Sequence, residues 1–170
     1  MSLSKHDLIE KSKNFQESIH ERHYASFAEH RRTAFLSHSH KDIDLIKGLI
    51  VWLQEEGIDL YIDWKDHSLP DVPSVETAKQ IKNRIESFPL FLFLAIENST
   101  SSRWCPWEIG YADSSKRKIY IISTSDYLHT YGSEYLNLYP CIDRGSDGQH
   151  AGFILVETGT RKGSWLSNVL

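Results

Sequence analysis

Cysteine is scarce in this chain of 170 residues, which contains only Cys105 and Cys141. Two cysteines cannot build a disulfide framework, and their spacing matches no metal-ligand motif. We therefore expect neither a disulfide-stapled secreted domain nor a cysteine metal site. A reduced, cytoplasmic location is the default expectation.

Long apolar runs and an excess of positive charge are missing as well. The longest apolar run, Phe88 to Ile96, is far shorter than the roughly 20 residues that a membrane span needs. The N-terminus has no secretory apolar core. A net charge of −4 gives no general attraction to nucleic acid or anionic lipid. We expect no nucleic-acid partner and no membrane.

Glycine and proline are absent before Gly48, so no flexible linker is visible there. Residues 3–30 place apolar side chains at loosely helical spacing, and Ser4 is a candidate cap. We predict an N-terminal helical extension over residues 1–32, packed on the main domain or on another subunit. A domain over residues 33–170 follows, with its core at 33–123, which suits the usual size of one domain.

Short apolar strands alternate with amphipathic helices after Thr33. The run Leu90 to Ile96 holds no polar residue, which is typical of a strand covered on both faces. This order predicts an α/β fold with a central parallel sheet between two helical layers. Beyond residue 123 the pattern is less regular, and it predicts only a last strand at 152–157 and a short helix at 165–170.

Ligands in open α/β sheets bind beyond the carboxyl ends of the strands. The first such segment here is Ser37-His38-Ser39-His40. No third metal ligand follows at useful spacing, and no Gly-rich elbow supports a serine hydrolase. Either Ser39 caps the next helix beside two solvated histidines, or the segment contacts a ligand through hydroxyl and imidazole groups.

The second segment is Tyr61-Ile62-Asp63-Trp64 with the loop after it, at the end of a predicted strand. Such an aromatic side chain either stacks on a base or nicotinamide ring, or simply covers the sheet edge. Pro70 and Pro73 indicate a shaped loop, consistent with a lid or a contact surface.

The third segment, residues 101–112, surrounds one carboxylate with aromatic side chains. Pro106 suits the first helical position, with Cys105 as the cap and Glu108 third; alternatively, Ser102 is the cap. Both registers place Glu108 near a helix N-terminus, where partial positive charge favours an ionised carboxylate. Glu108 is then either a site residue or only a favourable acid of the first turn.

Three stretches in this order resemble the bacterial form of the Toll/interleukin-1 receptor (TIR) domain family. They are Ala34-Phe35-Leu36-Ser37-His38-Ser39-His40-Lys41-Asp42, Leu53-x-x-x-Gly57-Ile58-x-Leu60-Tyr61-Ile62-Asp63 and Ser101-x-x-Trp104-Cys105-x-x-Glu108-Ile109-x-x-Ala112. The resemblance implies a flavodoxin-like three-layer sandwich, here with an added N-terminal helix. The loop after Asp63 departs from the family pattern because it lacks the usual Leu-x-x-Gly.

The resemblance also implies an enzyme, an NAD⁺ glycohydrolase or ADP-ribosyl cyclase. Enzymatic members cleave the nicotinamide–ribose bond, and their essential glutamate takes the place of Glu108, four residues after a tryptophan. Some bacterial members, such as those of Thoeris antiphage defence, make an ADP-ribose-derived and in some cases cyclic signal for a separate effector. The predicted site has Glu108 as catalytic residue, no metal ligand, and as substrate-binding residues Phe35, Ser37, His38, Trp64 and Trp104.

We accordingly expect NAD⁺ as substrate rather than cofactor, self-association through TIR surfaces, and a separate effector protein as partner. Two other functions stay open. Many TIR domains only assemble with one another, in which case Glu108 is structural and the loop 64–74 is the interface. A nucleoside-processing transferase would also place a glutamate against a ribosyl group on such a sheet.

Overall fold

The structure is a computed structural model that describes residues 3–16, 32–62, 74–124, 134–160 and 162–169. Its strands are β1 Arg32–Ser37, β2 Ile58–Tyr61, β3 Leu90–Ala95, β4 Lys118–Ser123, β5 Cys141–Ser146, β6 Ala151–Val156 and β7 Gly163–Trp165. Its helices are α1 Lys5–Ser12, α2 Ile43–Glu55, α3 Val75–Ser87, α4 Glu97–Thr100, α5 Cys105–Ser114 and α6 Leu166–Val169. Two 3₁₀ turns lie at His40–Asp42 and Glu134–Leu138.

The strands form one sheet in the order β2-β1-β3-β4-β5-β6-β7. Strands β2, β1, β3, β4 and β5 pair in parallel, and their order is that of flavodoxin-like folds. The predicted α/β class is thus confirmed. Strands β6 and β7 add an antiparallel edge that the sequence analysis did not predict as such.

The C-terminal residues complete the sheet. Strand β6 matches the strand predicted at 152–157, and α6 matches the predicted terminal helix. Strands β5 and β7 were not predicted. Their sequences, Cys-Ile-Asp-Arg-Gly-Ser and Gly-Ser-Trp, carry too few apolar residues to show a strand pattern.

Two apolar cores lie on opposite faces of the sheet. Alternate side chains of β3 supply both: Leu90, Leu92 and Leu94 face one core, and Phe91 and Phe93 face the other. The first core is covered by α1, α2 and α6, whereas the second is covered by α3 and α5. This gives three layers, because a strand that is apolar on both faces must be covered on both.

The N-terminal helix is built into the first core. Ser4 caps α1 in a capping box with Asp7, as the sequence predicted for its cap. Leu3 and Leu8 are fully buried, and α1 lies across α2. Residues 3–16 therefore pack on the main domain. The rest of the predicted extension, residues 17–31, lies outside the described residues.

Close approach of α1 to α2 depends on Gly48. A Cβ atom at this position would lie 1.9 Å from the backbone oxygen of Leu8, far inside contact distance. We predict that Gly48→Ala lowers the free energy of unfolding by about 1–3 kcal/mol or more, because backbone must move. Urea unfolding followed by circular dichroism measures this.

Gly110→Ala is the matched control, since Gly110 is also helical but meets nothing within 4 Å. It should raise the free energy of unfolding by about 0.5–1 kcal/mol through helix propensity. Equal stability of the Gly48→Ala and wild-type proteins would show that α1 does not pack on α2 in solution.

Candidate active site

The candidate site lies where the chain order of the sheet reverses. From β1 the chain continues to β2 on one side, while β3 lies on the other side of β1. Doubly wound sheets leave a crevice at such a point, beyond the carboxyl ends of the strands. Ser37 ends β1 at this crevice, and the segment after β3 leads into α5.

Helix α5 begins in a register between the two that the sequence suggested. Cys105 is the first helical residue rather than the cap, Trp104 is the N-cap, and Pro106 is second. The Ser102 hydroxyl nevertheless accepts from the backbone N–H groups of Trp104 and Cys105, each at 3.3 Å. Pro106 is tolerated because a first-turn N–H has no intrahelical partner.

Glu108 lies in the first turn of α5 and is almost completely buried, with 8% of its surface exposed. Its Oε2 accepts a hydrogen bond from the Ser37 hydroxyl at 2.5 Å, across 71 residues of chain. Such a length is typical of a hydroxyl donating to an ionised carboxylate. A first-turn acid that only interacts with the helix dipole could remain in solvent, so burial against Ser37 favours a site residue.

Aromatic side chains form the walls around this carboxylate. Phe35, on β1, stacks between Phe91 and Tyr61 with ring centroids 5.5 and 6.2 Å away. Trp104 lies one helical turn before Glu108 and meets Trp107 edge to face at 5.5 Å. These apolar walls lower the local polarity, which strengthens the field of a carboxylate.

The segment after β1 agrees with neither of its two interpretations completely. Ser39 does cap the following turn, accepting from the backbone N–H of Lys41 at 3.4 Å. His38 is half-buried rather than fully solvated, and desolvation of its ring lowers its pKa to about 4. His40 is exposed and packs edge to face on His38.

One cavity of about 60 Å³ joins these groups. It is lined by Phe35, His38, Trp104 and Glu108 among the predicted residues, with Ser37 immediately behind Glu108. Trp64 lies outside the described residues, so its predicted role stays a prediction. The volume equals about two water molecules, so a larger ligand would place only one edge here and extend beyond the cavity.

Tyr61 and Arg84 also line the cavity. Tyr61 opens the second segment of the sequence analysis but is not among its named site residues, and sequence reasoning missed Arg84. Arg84 lies three residues after Ile81 on α3, so helical spacing puts both on one face. The Arg84 guanidinium sits 5.1 Å from the centre of the Tyr61 ring, which brings positive charge to the cavity.

Asp42 and Asn98 tie together the two segments that carry the site. Asn98 Nδ2 donates to Asp42 Oδ1 at 2.7 Å, joining the turn after β1 to the segment after β3. Burial raises the pKa of Asp42, and its second oxygen has no hydrogen-bond partner among the described residues. The contact therefore links the turn after β1 to α4 at some electrostatic cost.

Metal and membrane chemistry find no support in the described parts of the chain. No group of three or more His, Cys, Asp or Glu residues there could hold a metal ion. Within the same residues, no helix is both long and apolar enough to cross a bilayer.

The sandwich and the cavity with its buried carboxylate define a flavodoxin-like domain with a ligand site at the switch point. The chain belongs to the TIR domain family, which matches residues 34–147. This confirms the resemblance seen in the sequence and the fold that it implied.

Two relatives carry informative names. A Bacillus cereus (strain MSX-D12) protein, "Probable 3' cyclic ADP-D-ribose synthase ThsB'", is 36% identical over 149 residues, which are 81% of this chain and 77% of that protein. A Cytobacillus dafuensis protein, "Putative cyclic ADP-D-ribose synthase TIR2", is 32% identical over 95 residues, which are 54% of this chain and 25% of that protein.

Cys105, beside Glu108, is a packing residue rather than a nucleophile. It is 1% exposed, and burial together with the nearby Glu108 charge raises the pKa of its thiol to about 12. Because the thiolate is the reactive form, we predict that Cys105 resists Ellman's reagent at pH 8 in the folded protein. The Cys141→Ser variant, which leaves Cys105 alone, is the protein to test.

Absorbance of the released thionitrobenzoate follows this reaction. Labelling should begin only when urea unfolds the Cys141→Ser protein. The folded Cys105→Ser protein should label slowly but measurably, because Cys141 is partly exposed although burial also raises the pKa of its thiol. Prompt labelling of folded Cys141→Ser would mean that the site is open around Glu108.

Proposed function

We propose that this chain cleaves NAD⁺ at the nicotinamide–ribose bond and releases a cyclic ADP-ribose as a signal in bacterial antiphage defence. The observation that carries the proposal is the buried Glu108, held by Ser37 in an aromatic cavity at the switch point. The names of both relatives support the product class, and the Bacillus name supports a bond through a 3′ position.

One carboxylate is enough for this reaction. Nicotinamide leaves as a neutral molecule from a cationic glycosidic nitrogen, so no general acid has to protonate it. That removes one of the two carboxylates that an ordinary glycosidase needs. Glu108 would accept hydrogen bonds from ribose hydroxyls and face the positive charge that develops on the ribosyl group.

Ser37 has a positioning role in this proposal. Its hydroxyl donates to Oε2 of Glu108, which would orient the carboxylate toward a ribose bound in the cavity. Because Ser37 is itself 1% exposed and fixed by β1, the carboxylate is preorganised before substrate arrives.

The cavity walls decide between hydrolysis and cyclisation. Water captures a ribosyl cation to give linear ADP-ribose, whereas a group of the same molecule gives a ring. Phe35 and Trp104 would exclude water and hold the nicotinamide end. Arg84, on the same cavity, would supply the cation that a folded-back diphosphate requires.

The biological setting follows from the same proposal. NAD⁺ as the substrate and a soluble signal as the product suit a cytoplasmic enzyme, and the net charge suits no nucleic-acid or membrane partner. A separate effector protein would respond to the product, and self-association through TIR surfaces would control activity.

We predict that Glu108→Gln abolishes nicotinamide release, with a loss of at least about 10³-fold. The amide has the same shape as the carboxylate but no negative charge to stabilise the ribosyl cation. Full chain and variant are incubated with NAD⁺ in a crowding agent, and products are separated by liquid chromatography with mass spectrometry. Thermal melting confirms that the variant is folded.

Adenosine is a parallel substrate, and release of adenine from it with NAD⁺ untouched would instead indicate a nucleoside-processing transferase.

An active folded Glu108→Gln protein would make Glu108 structural. A wild-type protein that leaves NAD⁺ intact in this assay and in phage-infected lysate would favour a module that only assembles.

Ser37→Ala tests the positioning role. We predict that kcat for nicotinamide release falls about 10- to 100-fold, the size of a lost hydrogen bond to a charged group. The KM should change little, because Ser37 lies behind the carboxylate. Ser114→Ala, on the helix that carries Glu108, is the control, since its hydroxyl donates to the Tyr111 backbone carbonyl. An unchanged kcat in Ser37→Ala would contradict the role.

A further inference from the structure

The orientation of the His38 ring is set by the backbone. Its Nδ1 lies 3.1 Å from the carbonyl oxygen of Leu36. A carbonyl can only accept a hydrogen bond, so Nδ1 carries the proton. In a neutral ring the lone pair is then at Nε2, on the opposite edge of the imidazole.

The ring is neutral at physiological pH. Desolvation lowers the pKa of His38 to about 4, with the bond to Leu36 opposing the shift and the nearby His40 adding to it. A neutral imidazole puts no positive charge beside a ribosyl cation. It therefore does not oppose the charge that Glu108 stabilises, whereas an imidazolium would.

His38 and Glu108 line the same cavity but are held by different partners. The Ser37 hydroxyl donates to Glu108, and the Leu36 carbonyl accepts from His38. Two neighbouring residues at the end of β1 thus orient two different groups of the cavity. Ring closure by a hydroxyl group uses two protein groups: a carboxylate that faces the cation and a base that faces the incoming hydroxyl.

We propose that His38 Nε2 accepts the proton of the ribose hydroxyl that closes the ring. This inference rests on the proposed cyclase function. The bond from the anomeric carbon to nicotinamide breaks, and its electron pair leaves with neutral nicotinamide. The hydroxyl oxygen of the adenosine ribose then bonds to that carbon, its proton moves to Nε2 and onward to water. NAD⁺ thus gives cyclic ADP-ribose, nicotinamide and one proton.

A weak base suffices for this step. As the new carbon–oxygen bond forms, the attacking hydroxyl becomes an oxonium, which is far more acidic than an imidazolium. The base therefore has to be unprotonated and correctly placed rather than strong. Attack by an adenine ring nitrogen would instead need no proton acceptor, so the role of His38 also separates the two ways of closing the ring.

The His38→Asn variant removes the proton acceptor but keeps the contact that orients the side chain. The Asn amide N–H can still donate to the Leu36 carbonyl, but the variant has nothing at the Nε2 position. With NAD⁺ and the full chain in a crowding agent, chromatography with mass spectrometry measures nicotinamide, cyclic product and linear ADP-ribose together. We expect nicotinamide release to fall less than 10-fold, the cyclic-to-linear ratio to fall at least 10-fold, and linear ADP-ribose to rise.

His38→Gln is the second variant, should His38→Asn fail to fold by thermal melting. It carries a polar but non-basic group to the level of Nε2 and should show the same fall in the ratio. His150→Asn, in the exposed turn between β5 and β6, is the matched control and should keep the wild-type ratio.

An unchanged cyclic-to-linear ratio in a folded His38 variant overturns the inference, as does a purely linear product from wild type. Loss of nicotinamide release in parallel with the cyclic product would show that His38 serves only substrate binding or folding, and also overturns it. Absence of nicotinamide release from wild type is a different result, because it contradicts the proposed function itself.

Discussion

The structure depends on the burial of β3 on both faces. Every residue of Leu90–Ala95 is buried, and its side chains alternate between two cores. Each large side chain contributes about 1.5–3 kcal/mol by leaving water, so neither face can be exposed without great loss. Helices must therefore cover both sides, and the neighbouring strands β1 and β4 pair in parallel with it, as the helical crossovers of such a layered fold allow.

That constraint creates the site. With β3 central and β1 beside it, the segments that leave these two strands end at one crevice. One carries Ser37 and His38, and the other leads through Ser102 to Glu108. The Asp42–Asn98 hydrogen bond joins them, at the cost of a buried carboxylate oxygen that finds no partner in the described part of the chain. A polar cluster costing stability at this edge is consistent with a functional rather than a structural demand.

Few of the groups around the proposed reaction centre carry a charge. In the proposed reaction Glu108 is the carboxylate that faces the ribosyl cation, while desolvation lowers the pKa of His38 and favours a neutral ring. Cys105 is kept as a thiol by burial, so it neither competes as a nucleophile nor adds negative charge. Arg84 is the single Lys or Arg among the described lining residues, and it lies on α3, which covers the same face of the sheet as α5. One carboxylate, one cation and otherwise neutral groups suit a reaction with a neutral leaving group and an internal nucleophile.

Local patterns in the sequence determined the α/β class, the parallel centre of the sheet, the caps at Ser4 and Ser39, and the position of Glu108 near a helix N-terminus. These follow from periodicity, capping chemistry and residue spacing, which act over a few residues. Strands β5 and β7 could not be predicted, because they are held by pairing rather than by apolar pattern. Tertiary structure alone decided that Ser37 meets Glu108 across 71 residues, that His38 is desolvated, and that Arg84 reaches the cavity. Contacts between distant segments depend on how the layers pack, and no short-range pattern records that.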